Sequence, residues 1–290
     1  MVEAPSGVLL LAADTLVEGV HADFSLTEPS DMGWKALAVN LSDIAAMGGR
    51  ALHCLVTVVV PQGREADLDG LYEGLEEAMQ AFECPIVGGD LSGGPTLVIT
   101  VAITGTVGDE GPPPVLRSGA RPGDSLFVTE PLGSASAGLR ALRSGALHSR
   151  YLGAQASLSE ETNIDWAINA HRRPVPRMVH GIAARHGSAT AMMDISDGLA
   201  IDLRRMADAS GVGVVIDDLA VASGATDEDA LFGGDDYELL IACSDPDRLE
   251  EEFKSAELPR PIFIGRCTDS VGTYRLGEHD LPMGGWEHQW

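Results

Sequence analysis

The sequence predicts an α/β (α+β) chain of two domains, and three observations carry that prediction. Apolar runs of strand length and stretches of helical period interleave through both halves. A stretch rich in Gly and Pro with no hydrophobic period, "GDEGPPPVLRSGARPGD", separates them. The 290 residues suffice for two ordinary domains, each with its own core. The expected division is one domain over residues 1–110 and a second over residues 120–290.

In the first half, "GVLLLAADTLVEG" reads as a strand ending at Asp14. "SDMGWKALAVNLSDIAAMGG" reads as a helix. Ser30 or Asp31 can cap it, Leu37, Leu41, Ile44 and Met47 recur at helical spacing, and Gly48-Gly49 stop it. "ALHCLVTVVVP" is a β-branched strand closed by Pro61, and residues 64–82 form an amphipathic helix. "PIVGGDL" is a short strand running into a glycine turn, and "TLVITVAITGTV" a long alternating strand. The second half restarts with the strand "DSLFVTEP" and a small-residue helix from about Ser134. "PRMVHGIAARHG" reads as a helix, "ATAMMDIS" as a strand, and "GLAIDLRRMADASG" as a helix with Leu199, Leu203 and Met206 on one stripe. "VGVVID", "YELLIACS" and "PIFIGRCT" are strands, with a helix near "DPDRLEEEFKSA" between the last two.

Composition narrows the chemistry. A formal net charge of −25 excludes a nucleic-acid partner, which requires a basic face. No apolar run approaches the roughly 20 residues that span a bilayer, and the N-terminal stretch lacks a signal peptide's basic flank, so no membrane role and a cytoplasmic location are expected. Cys54, Cys84, Cys243 and Cys267 lie far apart, without zinc-ligand spacing, and read as core thiols. The scattered histidines show no metallohydrolase pattern. The only lysines are Lys35 and Lys254, and neither follows the glycine spacing of a P-loop. If the chain handles phosphate, metal ions must supply most of the positive charge.

Four acidic turns share a pattern of Asp beside small residues at an element end: Asp14 in "AADTLVEGVH", Asp43 in "NLSDIAAMGG", Asp90 in "VGGDLSGG", and Asp194 with Asp197 in "DISDG". Any one of them is explained by capping or turn chemistry, Asp197 in particular because a helical stripe follows it. Asp194, at a strand end, is not explained that way. Their recurrence fits Mg²⁺, which prefers carboxylate oxygens and shares them with substrate phosphates. Gly88, Gly89, Gly93 and Gly94 would let backbone N–H groups approach the same phosphates. In "FGGDDYELL" the alternation around Glu238 places it on an accessible strand face or at a polar edge.

Taken in order, "DTLVEGVH", "GWKALAVNLSDIAAMGG", "VGGDLSGG", "LRSGARPGD", "DISDGLAIDL", "GGDDYELL" and "GGWEH" resemble the thiamine-monophosphate kinase family. Its superfamily includes aminoimidazole ribonucleotide synthetase and selenophosphate synthetase. The resemblance implies ATP-dependent phosphorylation of thiamine monophosphate to thiamine diphosphate by in-line transfer assisted by several magnesium ions. It also implies a homodimer joined through the sheets of N-terminal ATP- and metal-binding domains. By motif, Asp14, Asp43, Asp90 and Asp194 would hold magnesium, with Asp197 at a further metal position. Tyr72, Gly89, Asp90, Arg117 and Ser196 would contact ATP, and His21, Glu238 and Trp286 the thiamine side. No general base is assigned, because the acceptor phosphate is already ionised.

The resemblance departs at two places. A family segment with a G-D-D-A-like motif does not precede Asp14, and Ala13 stands where the family tends to have Thr. Both changes predict weaker magnesium binding. They leave open a catalytically impaired nucleotide- or metal-binding relative, beside a superfamily member with another acceptor. Selenophosphate synthetase is disfavoured because no Cys lies in the N-terminal glycine-rich region. The hydrogenase maturation relative is disfavoured by Trp290 at the end of the sequence.

Overall fold

The computed structural model describes residues 7–109, 111–145 and 161–287. The first sheet holds β1 (Leu9–Val17), β2 (Arg50–Val60), β3 (Ile86–Gly93) and β4 (Val98–Thr106) in the order β1-β4-β2-β3. Its neighbours are antiparallel except for the β2–β3 pair. The side-chain period of two divides its faces. Leu10, Leu16, Val56, Val58, Ile99 and Val101 pack under α1 (Pro29–Ala46) and α2 (Asp67–Ala81). The other face carries Leu11, 67% exposed, and Leu55, 50% exposed, along a shallow groove of about 610 Å³ lined also by Ala13, His53, Val87 and Thr104.

The second sheet is seven-stranded, in the order β11-β10-β7-β9-β5-β8-β6. Its strands are β5 (Ser125–Val128), β6 (Ala189–Ile195), β7 (Gly213–Ile216), β8 (Glu238–Cys243), β9 (Ile262–Thr268), β10 (Tyr274–Leu276) and β11 (His279–Asp280). Its helices are α3 (Ser134–Arg143), α4 (Glu161–Arg172), α5 (Met178–His186), α6 (Leu199–Ser210), α7 (Asp227–Phe232) and α8 (Pro246–Ser255). One core joins Leu126, Val128 and Leu240 to Leu199 and Leu203 of α6. The other joins Phe127, Leu239 and Ile241 to Leu249 and Phe253 of α8, and takes in Ala45 and Ala46 of α1. With 14 of its 18 residues buried, α1 is therefore a shared wall between the two sheets rather than a surface helix. No described helix is long and apolar enough to cross a membrane.

Several expectations are corrected. β1 runs past Asp14 because its ladder with β4 continues to Val17 opposite Val98. α1 begins at Pro29 with Glu28 at the N-cap and no side-chain cap, so neither Ser30 nor Asp31 caps it; proline's fixed φ suits the first turn. Gly88 and Gly89 stay inside β3 instead of forming a turn. A Cβ on Gly89 would lie 1.8 Å from the Val56 carbonyl oxygen, so glycine is what lets β3 approach β2. Glu238 is neither on an edge nor accessible: β8 lies between β5 and β6, and the residue is 6% exposed. α4 and the very short α7, β10 and β11 were not expected from the sequence pattern.

Candidate active site

The buried helix α1 carries polar groups that tie three elements together. Asn40, fully buried, donates from Nδ2 to the Ala36 carbonyl at 2.9 Å and accepts the Asp14 N–H at 2.8 Å, fastening β1 to the helix. Ser42 donates its hydroxyl to Asp194 Oδ2 of β6 at 2.6 Å, joining α1 to the second sheet. Asp43 follows Ser42, so Asp14, Asp43 and Asp194 are brought into one electrostatic neighbourhood.

Their acidities record the crowding. Burial, then Asp194 and Asp14, push the Asp43 carboxyl up to about 8, against the pull of Arg117. Burial pushes Asp194 up to about 6, the Ser42 hydroxyl opposing it and Asp202 and Asp14 adding to it. Asp14 is raised chiefly by burial of its carboxyl, with His21 opposing and Asp197 reinforcing the shift. None of the three has a salt bridge among the described residues, in contrast to Asp197, Asp235 and Glu238. Asp194 is buried, Asp43 half-buried and Asp14 exposed at the open edge of the group, and carboxylates that crowd one another in this way without a fixed counter-charge fit a divalent cation. Among the described residues no three His, Cys, Asp or Glu form a ready metal cluster. An ion shared with phosphate oxygens requires only one or two carboxylates from the protein.

The turn from β6 to α6 is built by glycine and by a residue further on. Gly198 is the N-cap, with φ 115° and ψ 146°, a conformation open to glycine, and no side chain caps the helix there. The fully buried Asp202 reaches back instead, its Oδ2 accepting the N–H groups of Ser196 at 3.1 Å and Asp197 at 3.0 Å. Asp197 is thus not the cap. Its carboxylate pairs with Arg205, and its carbonyl accepts the Trp286 N–H at 2.8 Å, which places Trp286, a residue 46% exposed, beside the turn.

The remaining motif residues divide into near and far. His21 accepts the Val17 N–H at Nδ1 (3.0 Å) and faces Asp14, and the exposed Arg117 lies within electrostatic reach of Asp43. Gly89, Asp90 and Tyr72 lie elsewhere. Asp14, Val101, Val56 and Gly89 form one row across the first sheet, so Asp14 and Asp90 occupy opposite edges, three strand spacings or about 14 Å apart. Asp90 also points to the open face with Thr57, whereas Asp14 lies on the helix side. Tyr72, 47% exposed, projects from α2. Glu238 accepts from Arg177 Nε at 2.8 Å and is also held by Thr129 at 2.5 Å, so it is committed to the fold.

A second polar group was missed. Lys35, 3% exposed, donates to Asp235 Oδ2 at 2.8 Å, and the Tyr237 hydroxyl donates to Asp235 Oδ1 at 3.1 Å. Asp235 and Tyr237 both have left-handed backbone, with φ 70° and 52°. Against burial, Lys35 and His171 hold the Asp235 carboxyl below its usual range. Burial and Lys35 hold the His171 imidazole down to about 4. A lysine centred in an apolar helix, in a chain with two lysines, was the available signal.

Comparison with known proteins bears on this arrangement. The AIR synthase related protein family matches residues 2–107 with its N-terminal domain and residues 121–276 with its C-terminal domain. A thiamine-monophosphate kinase of Bacillus subtilis is 36% identical over 269 residues, 86% of this chain and 77% of that protein. The chain belongs to the thiamine-monophosphate kinase family. A member of this kinase family from Salmonella typhimurium is 36% identical over 286 residues, 95% of this chain and 83% of its own. The solved thiamine-monophosphate kinase of Stenotrophomonas maltophilia K279a superposes with a TM-score of 0.81 at 32% identity, covering 95% of this chain and 86% of that one. AaThiL complexed with AMPPCP and TMP superposes with a TM-score of 0.83 at 32% identity, covering 99% and 89%. Hydrogenase maturation protein HypE, at 16% identity and a TM-score of 0.72, shares the fold alone with this kinase family member.

Proposed function

We propose that this chain transfers the γ-phosphoryl group of ATP to the phosphate of thiamine monophosphate, forming thiamine diphosphate and ADP. The observation that carries this reading is the convergence of Asp14, Asp43 and Asp194, from three elements and both sheets, into one crowded acidic site in a member of this kinase family. Asp14, Asp43 and Asp194 would hold magnesium, which would supply the positive charge that neutralises phosphate oxygens. The chain itself positions: Asn40 fixes Asp14, Ser42 fixes Asp194, and Arg117 brings an exposed positive charge to the rim. Ser196 faces the nucleotide from the turn, and His21 and the open ring of Trp286 flank the acceptor, an aromatic face suited to a thiazolium or pyrimidine ring. Glu238 supports this side only through its buried pair with Arg177. The acceptor oxygen is ionised at neutral pH, so no side chain has to remove a proton, and catalysis rests on alignment and charge.

The reading includes a homodimer. Asp90 lies at the opposite edge of the first sheet from Asp14 and on its other face, the open apolar one. A second copy packed on that face, through Leu11 and Leu55, brings its edge strand toward the Asp14 edge of the first and completes the site. Residues 1–110 then form the nucleotide-, metal- and dimer-forming domain, and residues 120–290 the α/β domain. A cytoplasmic location accords with four buried free cysteines and ATP as co-substrate.

A coupled assay for ADP release, with and without thiamine monophosphate and with thiamine diphosphate measured by chromatography, tests the reading. Product that requires ATP, magnesium and thiamine monophosphate is expected. Magnesium-dependent ATP binding without product would replace the kinase with a nucleotide-binding relative.

A further inference from the structure

The pairing of Arg205 with Asp197 distinguishes one acidic turn from the others. Arg205 Nη1 lies 2.5 Å from Asp197 Oδ2 and 2.7 Å from Asp202 Oδ1. Asp202 is fully buried and its other oxygen holds the turn's N–H groups, so the guanidinium is anchored on a rigid partner rather than waving in solvent. A guanidinium does not lose its proton in a protein, so this counter-charge is permanent. Asp14, Asp43 and Asp194 have no such partner among the described residues. The residues at the turn therefore do not fit the further metal position that the motif resemblance assigns to Asp197.

We propose that Arg205 is the resident cation of Asp197, and that this chain binds no divalent ion through that carboxylate. Asp197 is a positioning residue: its carboxylate locks α6 through Arg205, and its carbonyl anchors the Trp286 backbone beside the site. The inference rests on the kinase reading, since it concerns which carboxylates of that site remain free for metal.

Mn²⁺ binding, counted by electron paramagnetic resonance of the free ion with a non-hydrolysable ATP analogue present, tests it. The wild type and Asp197→Asn are expected to bind the same number of ions with affinities within about twofold. Arg205→Met, which frees the carboxylate, is expected to gain one ion per chain, and the double variant to lose it again. Loss of one ion in Asp197→Asn overturns the proposal, as does an unchanged count in a natively folded Arg205→Met. If Arg205→Met does not fold, the Asp197→Asn count decides alone. Failure of the underlying reading looks different: no Mn²⁺ bound by the wild type and no thiamine diphosphate formed, which overturns both.

Discussion

Binding of magnesium with nucleotide should expel a proton from the protein. With Asp43 pushed up to about 8 and Asp194 to about 6, the metal-free pair is partly protonated at neutral pH. At pH 7 the first group is about nine-tenths protonated and the second about one-tenth, so the pair carries about one proton that a cation displaces. At pH 9 the release falls to about a tenth of a proton. Calorimetric titration in two buffers of different ionisation enthalpy measures it, with Asp43→Asn as the reference that removes the nucleotide's own contribution. The wild type should release about one proton more than Asp43→Asn at pH 7. Equal release, or proton uptake, would refute the picture of a crowded, cation-starved carboxylate site. The sign for stability follows. Because both folded-state values are raised, ionisation costs the metal-free chain stability as pH rises from about 4 toward 8, so stabilisation by magnesium should grow over the same interval.

Other outcomes are expected elsewhere in the molecule. His171 has its folded-state value lowered to about 4, so the unfolded chain takes up its proton first as pH falls through 6.5; the fold loses about 2 kcal/mol from this group by pH 5, and urea midpoints of His171→Gln should fall less steeply over pH 7 to 5. A steeper fall in the variant would contradict the assignment. Gly89→Ala places a Cβ 1.8 Å from the Val56 carbonyl oxygen and should cost about 1–3 kcal/mol in chemical denaturation while weakening ATP binding; an unchanged midpoint would show that β3 can move aside. Leu55→Asp puts a charge on the half-exposed apolar sheet face and should convert dimer to monomer by light scattering, and a dimer that survives would move the interface elsewhere.

Much of this architecture was legible because its signals are local. The alternation in β1, β2 and β4 followed from one buried and one open face, and Asp14, Asp43 and Asp194 stood out from recurrence, although Asp14 lies inside β1 and Asp43 inside α1 rather than in turns. What escaped was set by distant partners. Gly88 and Gly89 look like a turn, but they lie within β3, and at Gly89 the reason for glycine is the Val56 carbonyl on a neighbouring strand. Glu238 looks accessible by alternation, yet an interior strand is buried on both faces, and the Arg177 guanidinium with the Thr129 hydroxyl makes a carboxylate tolerable there. Asp197 has the position of a cap, but the cap function passes to Asp202 and its charge to Arg205. That Asp14 and Asp90 lie on opposite edges depends on strand order, which no motif spacing encodes.

Mixing two inactive variants tests the central claim most directly. Asp14→Asn and Asp90→Asn should each abolish thiamine diphosphate formation. If each site draws Asp14 from one copy and Asp90 from the other, the two variants unfolded and refolded together should recover about a quarter of wild-type turnover, since half the dimers are mixed and each mixed dimer keeps one intact site. Recovery to that level is the predicted result. No recovery, in a mixture shown to contain mixed dimers and with an active wild-type control, would contradict a site shared between copies.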